Sequence, residues 1–429
     1  LESLSSLECI DYVTLSNSPT ATNVISTIKP NFYCKGPDYK NYKKDVTGEI
    51  LNEVKEVKRY GGKIVYTEDQ VFSSSNLINK HVSESNTIKN FIRKIKNNYT
   101  FDKIKHEINS FSKLKILVIG ETIIDRYVYS EALGKSGKEP ILILRDLGLE
   151  NFIGGAAAIS RHISNFNKKT TLFSMIGEKK EHFKILNKAL SNKVKMIYLQ
   201  KKNSPTIEKT RFIDQISKNK VIGIDRLNDE LLNTTQEKKM NNQLKKIIKK
   251  FDLVIVSDYG HGFISKKSAN IICKNSKFLA LNAQVNAANT GYHSMRNYKN
   301  VNCVIINERE LRHELRDKNS SVESLQKELA YKQNIKFLIV TKGSQGSVLF
   351  SKNNNKYIYA PAFSDKVVDK IGAGDTMLSI IALCLNKKLN LNLSMLIASL
   401  AAGESVKNIG NKYSTDKVSL LKSIESIIK

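Results

Sequence analysis

Apolar residues follow two different rhythms along this chain. From Lys115 onward, short runs are apolar at nearly every position: KILVIG, TLFSMIG, LVIVSD, FLALNA, CVIIN and FLIVTKG. Such runs predict strands buried on both faces of a parallel sheet. Between them, TTQEKKMNNQLKKIIKKF and SVESLQKELAYKQN read as helices. Strand alternating with helix predicts an α/β fold, a doubly wound, mainly parallel sheet with flanking helices. EPILILRDLGLENF and TIEKTRFIDQISKNKVIGIDRL break the rhythm and read as hairpin pieces, which predicts a small β lid beside the main sheet. Before Lys115, IDYVTL and GGKIVYT read as strands and TGEILNEVKEVKRYGG as a helix closed by glycine. Residues 82–113 are polar, Lys-rich and helical in period. The expected division is therefore 1–81, a helical linker at 82–113, and 114–429, with no internal repeat.

Composition changes this picture little. The net charge of +28 would ordinarily point to a polyanion. The excess is mostly Lys, spread along the whole chain among Asn and Ile, and there is no Trp for base stacking. That distribution reads as compositional bias and argues against nucleic acid. It is compatible with an anionic small substrate. A polyanion-binding protein stays as a third reading, one that requires steeply salt-dependent binding. The five cysteines form no C-x-x-C pair, which argues against zinc and disulfides and for a reducing, cytoplasmic location. No apolar run approaches the roughly 20 residues of a membrane helix. The opening LESLSSLECIDYV has no basic region of a signal peptide and no initial Met. It suggests a start inside a longer gene product, or processing.

The stretch DKIGAGDTM, residues 369–377, carries the clearest chemistry. Gly372, Ala373 and Gly374 precede an apolar helical segment. Small residues let backbone N–H groups turn inward, and a helix N-terminus adds partial positive charge, so the loop could hold an anion. Asp375 in the first turn could take a proton from an attacking hydroxyl while the amides hold phosphoryl charge. The competing reading is a tight helix entry with Asp375 as its cap. Asp258 ends the run LVIVSD at a strand C-terminus, where open α/β sheets bind ligands. There is no G-x-x-x-x-G-K-[ST] phosphate loop.

GAGDTM resembles the second signature of the PfkB, or ribokinase-like, sugar kinases, and further segments match that family in order. KILVIGETIIDRYVY resembles its first strand, FIGGAAAISRHISNF its Gly-Gly signature and VIVSDYGHGFIS its S-D-Y-G segment. VIINERE resembles its N-x-x-E motif and LIVTKGSQGSVLF its T-x-G-x-x-G turn. The resemblance spans about residues 114–429. It implies an ATP- and Mg²⁺-dependent sugar kinase acting on a sugar or sugar phosphate. Asp125, Gly154 and Gly155 would hold the sugar, and Lys209, Arg211 and Asp258 would stand on the substrate side. Asn307, Thr341, Gly343 and Gly346 would face the nucleotide, Glu310 would help place the metal, and Asp375 would be the base. The sequence departs at Ala158, where Asn is usual, and at Lys370, where a small residue is usual. Against the heptose-phosphate kinases, the subgroup it most resembles, His261 stands where Lys is usual and LNAQ where Asp-Pro-Lys is usual. These departures leave the sugar open and support an alternative, a catalytically idle kinase-like sugar sensor or scaffold. The lid strands could pair two subunits into a homodimer.

The N-terminal region resembles the second half of a Rossmann-like cytidylyltransferase-like domain. Lys35, Gly36, Asp38 and Tyr39 match its K-G-x-D-Y, and Ser73, Ser74 and Ser75 its nucleotide-side run. That family needs H-x-G-H, and the seven histidines here are scattered. The resemblance therefore implies a truncated or vestigial domain without nucleotidyl transfer, and a kinase serving nucleotide-activated sugar synthesis.

Overall fold

A computed structural model describes residues 2–5, 8–16, 18, 20–36, 39, 49–67, 86–364 and 367–428. The chain forms two compact units, residues 1–92 with 417–429, and residues 93–416. In the first, β1 (Phe32–Lys35) and β2 (Lys63–Tyr66) pair in parallel, with the helix Ile50–Arg59 as crossover. Ile50, Val54 and Val57 recur at helical spacing and are buried. Gly62 ends the crossover where a Cβ would lie 2.3 Å from the Pro30 carbonyl oxygen. IDYVTL forms no strand, a correction to the sequence reading: Tyr12 is 95% and Leu15 73% exposed, so no surface covers the alternation. The helix Lys417–Ile428 closes the chain.

The second unit is built on β3 (Ile116–Lys135), β4 (Leu142–Gly154), β5 (Thr170–Gly177), β6 (Val194–Lys201), β7 (Ile207–Asp214), β8 (Lys220–Arg226), β9 (Leu253–Asp258), β10 (Leu279–Ala283), β11 (Cys303–Asn307), β12 (Phe337–Thr341), β13 (Ser347–Ser351) and β14 (Lys356–Ala360). The main sheet runs β14-β13-β12-β11-β10-β9-β3-β5-β6. From β12 to β6 every pair is parallel; β13 and β14 add an antiparallel edge. All six residues of β9 and all eight of β5 are buried, as their apolar runs predict. Each buried Val, Leu or Ile contributes about 1.5–3 kcal/mol relative to exposure.

β3 joins two layers. Residues 116–121 pair with β5 and β9 in the main sheet, and residues 123–135 pair with β4 and β7. With β8 on β7, this second half forms the lid the hairpin segments predict. Gly120 sits at the changeover, where a Cβ would lie 2.0 Å from the Ser257 carbonyl oxygen. Strands end together at one edge of the main sheet, and the lid rises beside that edge. Among the described residues no helix is long and apolar enough to cross a membrane.

Candidate active site

A cavity of about 700 Å³ lies between the C-terminal ends of the central strands, the lid and the helix Ala373–Asn386. That helix is apolar along most of its length and buried from Thr376 to Leu385, which anchors its N-terminus at the cavity. Gly372 caps it with φ +88° and provides no side-chain bond; a Cβ there would lie 2.3 Å from Asn411 Oδ1. Thr376 is the first residue whose N–H bonds back to the Gly372 carbonyl, so among the described residues the preceding amides at this helix entry are left unspent beside the cavity. Gly372, Ala373 and Gly374 all line it.

Asp375 does not cap the helix. It points into the cavity, where Oδ1 accepts from Tyr259 Oη at 3.0 Å. Burial, with Asp125 adding to it and the Tyr259 bond opposing it, pushes its carboxyl up to about 7. A carboxylate poised near neutrality, next to orphan amides, can accept a proton while those amides hold developing anionic charge.

Asp125 enters from the lid half of β3 and is 4% exposed. Arg211 Nη1 on β7 donates to its Oδ1 at 2.6 Å. Gly154 makes room for it, since a Cβ there would sit 2.4 Å from Asp125 Oδ2. Gly155, with φ +58°, lines the cavity as the start of the helix Gly155–Ser164. Lys209 is also buried at the wall, its Nζ 5.8 Å from the Tyr259 ring centre, and burial lowers its pKa. Ala158 is fully buried in that same helix and touches no part of the cavity wall, whereas Lys370 is exposed and lines it.

Asp258 is not among the lining residues. It is 2% exposed, accepts from Tyr298 Oη at 2.7 Å and from the Gly260 N–H at 3.0 Å, and so braces the turn after β9. Asp258 does end β9, but its side chain points behind the site. Tyr259, which the sequence reading quoted without assigning, takes the cavity position instead. Glu121 holds that turn from beneath: its oxygens accept from the N–H groups of Tyr259 at 3.0 Å and His261 at 3.1 Å. Burial, then the nearby Asp258 charge, pushes Glu121 upward. His261 is fully buried and stacked 6.5 Å from Tyr259; burial drives it down to about 3, so it is neutral. The sequence gives no local sign of Glu121, whose partners follow the neighbouring strand β9, 138 and 140 positions away.

At the opposite end of the cavity stand Asn307, Glu310, Thr341, Gly343 and Gly346. Asn307 caps the helix Glu308–Leu315, and Glu310 returns a bond to the Asn307 N–H at 2.8 Å, a reciprocal capping box. Its second oxygen accepts from the Val285 N–H at 3.3 Å, and burial pushes it up to about 7. Both oxygens are therefore engaged with backbone. Among the described residues no cluster of three His, Cys, Asp or Glu side chains could enclose a metal. Such a lining would suit Mg²⁺ held mainly by phosphate and water, an ion that keeps several of its waters, with Glu310 and Asn307 as the residues that would hold it indirectly. Gly343 and Gly346 have φ +58° and +84°, and a Cβ on Gly346 would lie 2.1 Å from the Ala360 carbonyl oxygen. This tight turn follows β12 and brings backbone to the wall at its two glycines, with Ser344 between them.

The N-terminal unit presents a different arrangement. Lys35 pairs with Glu53 at 2.8 Å and lies 4.6 Å from the Tyr39 ring centre. Glu53 also accepts from Tyr33 Oη at 3.1 Å and the Ala21 N–H at 3.2 Å. Gly36 sits in open space just after β1. Asp38, Ser73, Ser74 and Ser75 lie outside the described residues.

The chain is similar to known proteins in sequence and in fold. The model of the pfkB family carbohydrate kinases matches residues 113–418. The bifunctional protein HldE of Aliarcobacter butzleri is 27% identical over 310 residues, 71% of this chain and 63% of that protein. The HldE of Nitratiruptor sp. is 26% identical, again over 63% of its length, so the chain matches less than two thirds of these relatives. Phosphofructokinase-2 from Escherichia coli in complex with potassium superposes with TM-score 0.60 at 16% identity, covering 73% of this chain and 99% of that one. Arabidopsis thaliana ribokinase complexed with ribose and ATP gives 0.54 at 19%, covering 74% and 99%. At these identities the superpositions speak for a ribokinase-like fold.

Proposed function

This chain belongs to the pfkB family of carbohydrate kinases, and we propose that it transfers the γ-phosphoryl group of ATP to a hydroxyl of a sugar or sugar phosphate. The observation that carries the reading is Asp375, a carboxylate raised toward neutrality, facing the same cavity as the unspent amides of Gly372–Gly374. Asp125 and the Gly154-Gly155 turn orient the acceptor, with Arg211 fixing the Asp125 carboxylate and Lys209 beside them. Asp375 Oδ takes the proton of the acceptor hydroxyl as its oxygen forms the bond to phosphorus and the bond to ADP breaks. The loop amides hold the equatorial oxygens of the phosphoryl group. Asn307, Thr341, Gly343 and Gly346 face the nucleotide. Mg²⁺, when bound, neutralises phosphate charge. The lid covers the acceptor and excludes water from it.

The motif resemblance supports a heptose-like acceptor on the way to a nucleotide-activated sugar. The five described cysteines are all free, which supports a reducing compartment such as the cytoplasm. The lid exposes Leu142, Leu147, Leu149, Ile222 and Ile224, each 46% or more, and a second copy of the chain is the partner we assign to it. The test is ADP release with MgATP across a panel of sugars and sugar phosphates. Turnover with at least one acceptor, abolished in Asp375→Asn, is expected. Acceptor binding without turnover by the unaltered protein overturns the kinase reading and leaves a sugar sensor.

A further inference from the structure

The loop that carries Asp375 holds a second carboxylate, Asp369, which is 7% exposed. Its oxygens accept from four separate groups. Tyr127 Oη on β3 lies at 2.8 Å, Lys220 Nζ on β8 at 2.6 Å, the Ile371 N–H at 3.1 Å and the Gly410 N–H at 3.0 Å. Burial pushes Asp369 up, but Lys220, the Ile371 amide and Tyr127 outweigh it and hold the carboxyl below its ordinary value.

Two of these donors sit on the phosphate loop itself and on the neighbouring loop, and Tyr127 lies on the lid half of β3, held between β4 and β7 and continuous with the main-sheet half. Lys220 is different. It opens β8, a strand that is exposed at all seven positions and, among the described residues, pairs only with β7. Its ammonium also lies 5.6 Å from the Tyr127 ring centre, and Arg211 lies 5.7 Å from the same ring. Arg211 in turn holds Asp125. Beside Gly410, Asn411 abuts Gly372. A continuous set of contacts thus runs from the acceptor carboxylate through Arg211, Tyr127 and Asp369 to the phosphate loop, and Lys220 closes it onto the outer lid strand.

We propose that Lys220 is a positioning residue: its ion pair with Asp369 makes the seating of lid strand β8 and the shape of loop 369–374 a single state. The physical reason is the cost of an uncompensated buried charge. If β8 lifts, Asp369 loses the one cation that hydrogen-bonds to it among the described residues, and the loop must rearrange or admit water. By reciprocity, phosphate that orders the loop favours the seated lid. Only this last step rests on the kinase reading.

Hydrogen exchange of the full chain, with and without MgATP, tests the inference. Lys220 is 37% exposed, so its substitution leaves the core untouched. In Lys220→Met, exchange at Ile371 and Gly410 should rise about tenfold together with β8, and Lys220→Arg should restore both. MgATP should slow exchange in β8 of the unaltered protein and not in Lys220→Met. Faster exchange confined to β8, with Ile371 and Gly410 unchanged, overturns the proposal. If MgATP protects neither segment in the unaltered protein, the phosphate reading of the loop fails, while the ligand-free comparison still decides the ion-pair link.

Discussion

Two regions of this molecule carry a recognisable motif, and they use their charged groups in opposite ways. In the N-terminal unit, Lys35 is bound to Glu53, and Glu53 is bound further to Tyr33 and Ala21. Within that described set the charges answer one another. In the larger unit, among the described residues, Asp375 has a single tyrosine partner, faces a cavity, and stands beside helix-entry amides that no side chain caps. A motif makes a site when its polar groups are held in place yet left with capacity to spare. Where they satisfy each other, the same residue types build structure.

The sharpest way to break this contrast is Asp375→Asn. Phosphoryl transfer should fall by roughly 10²–10⁴-fold, with MgATP affinity nearly unchanged by calorimetry. An equal loss of binding would make Asp375 a structural residue after all. Gly372→Ala comes next. It places a methyl against Asn411 in a backbone region that disfavours side chains, and displacing the amides should cost about 100-fold in kcat. Next is pH. With Asp375 at about 7, the rate should rise through neutrality to a plateau as the base ionises. Tyr259→Phe removes the bond that lowers this pKa, so the inflection should move to higher pH. The fold shows the opposite slope. A carboxyl raised on folding favours the native state below its unfolded value and loses that contribution as pH climbs toward 7. Asp375→Asn should therefore raise Tm at pH 8 relative to the unaltered protein, and not at pH 4. The smallest effect belongs to the other region. Glu53→Gln should destabilise the N-terminal unit by about 1–2 kcal/mol in denaturant melts and leave the kinase rate within about twofold. A large loss of kinase rate would mean that the two regions are not independent.

Much of this was legible beforehand because it is local. Fully apolar runs such as LVIVSD can satisfy their side chains only between two layers, so β9 and its neighbours were readable as buried parallel strands. The small residues of GAGD announced a helix entry, and the hairpin character of residues 139–152 and 206–227 announced the lid. IDYVTL misled because alternation makes a strand only where a partner surface exists. Asp258 misled for a related reason: its place at a strand end was readable, but Tyr298 and Gly260 decide where its carboxylate points.

The sequence by itself determined the strands, the helix entry and the order of chemical groups along the chain, since periodicity and backbone freedom act over a few residues. Only the tertiary structure decided what each carboxylate in DKIGAGD would be. Asp369 meets Lys220, 149 positions away, and is held below its ordinary pKa. Asp375 meets Tyr259, 116 positions away, in a cavity that raises it to about 7. The residue type is the same and the loop is the same. Charge is governed by burial and by neighbours in space, and those are fixed only once distant strands have closed around the site.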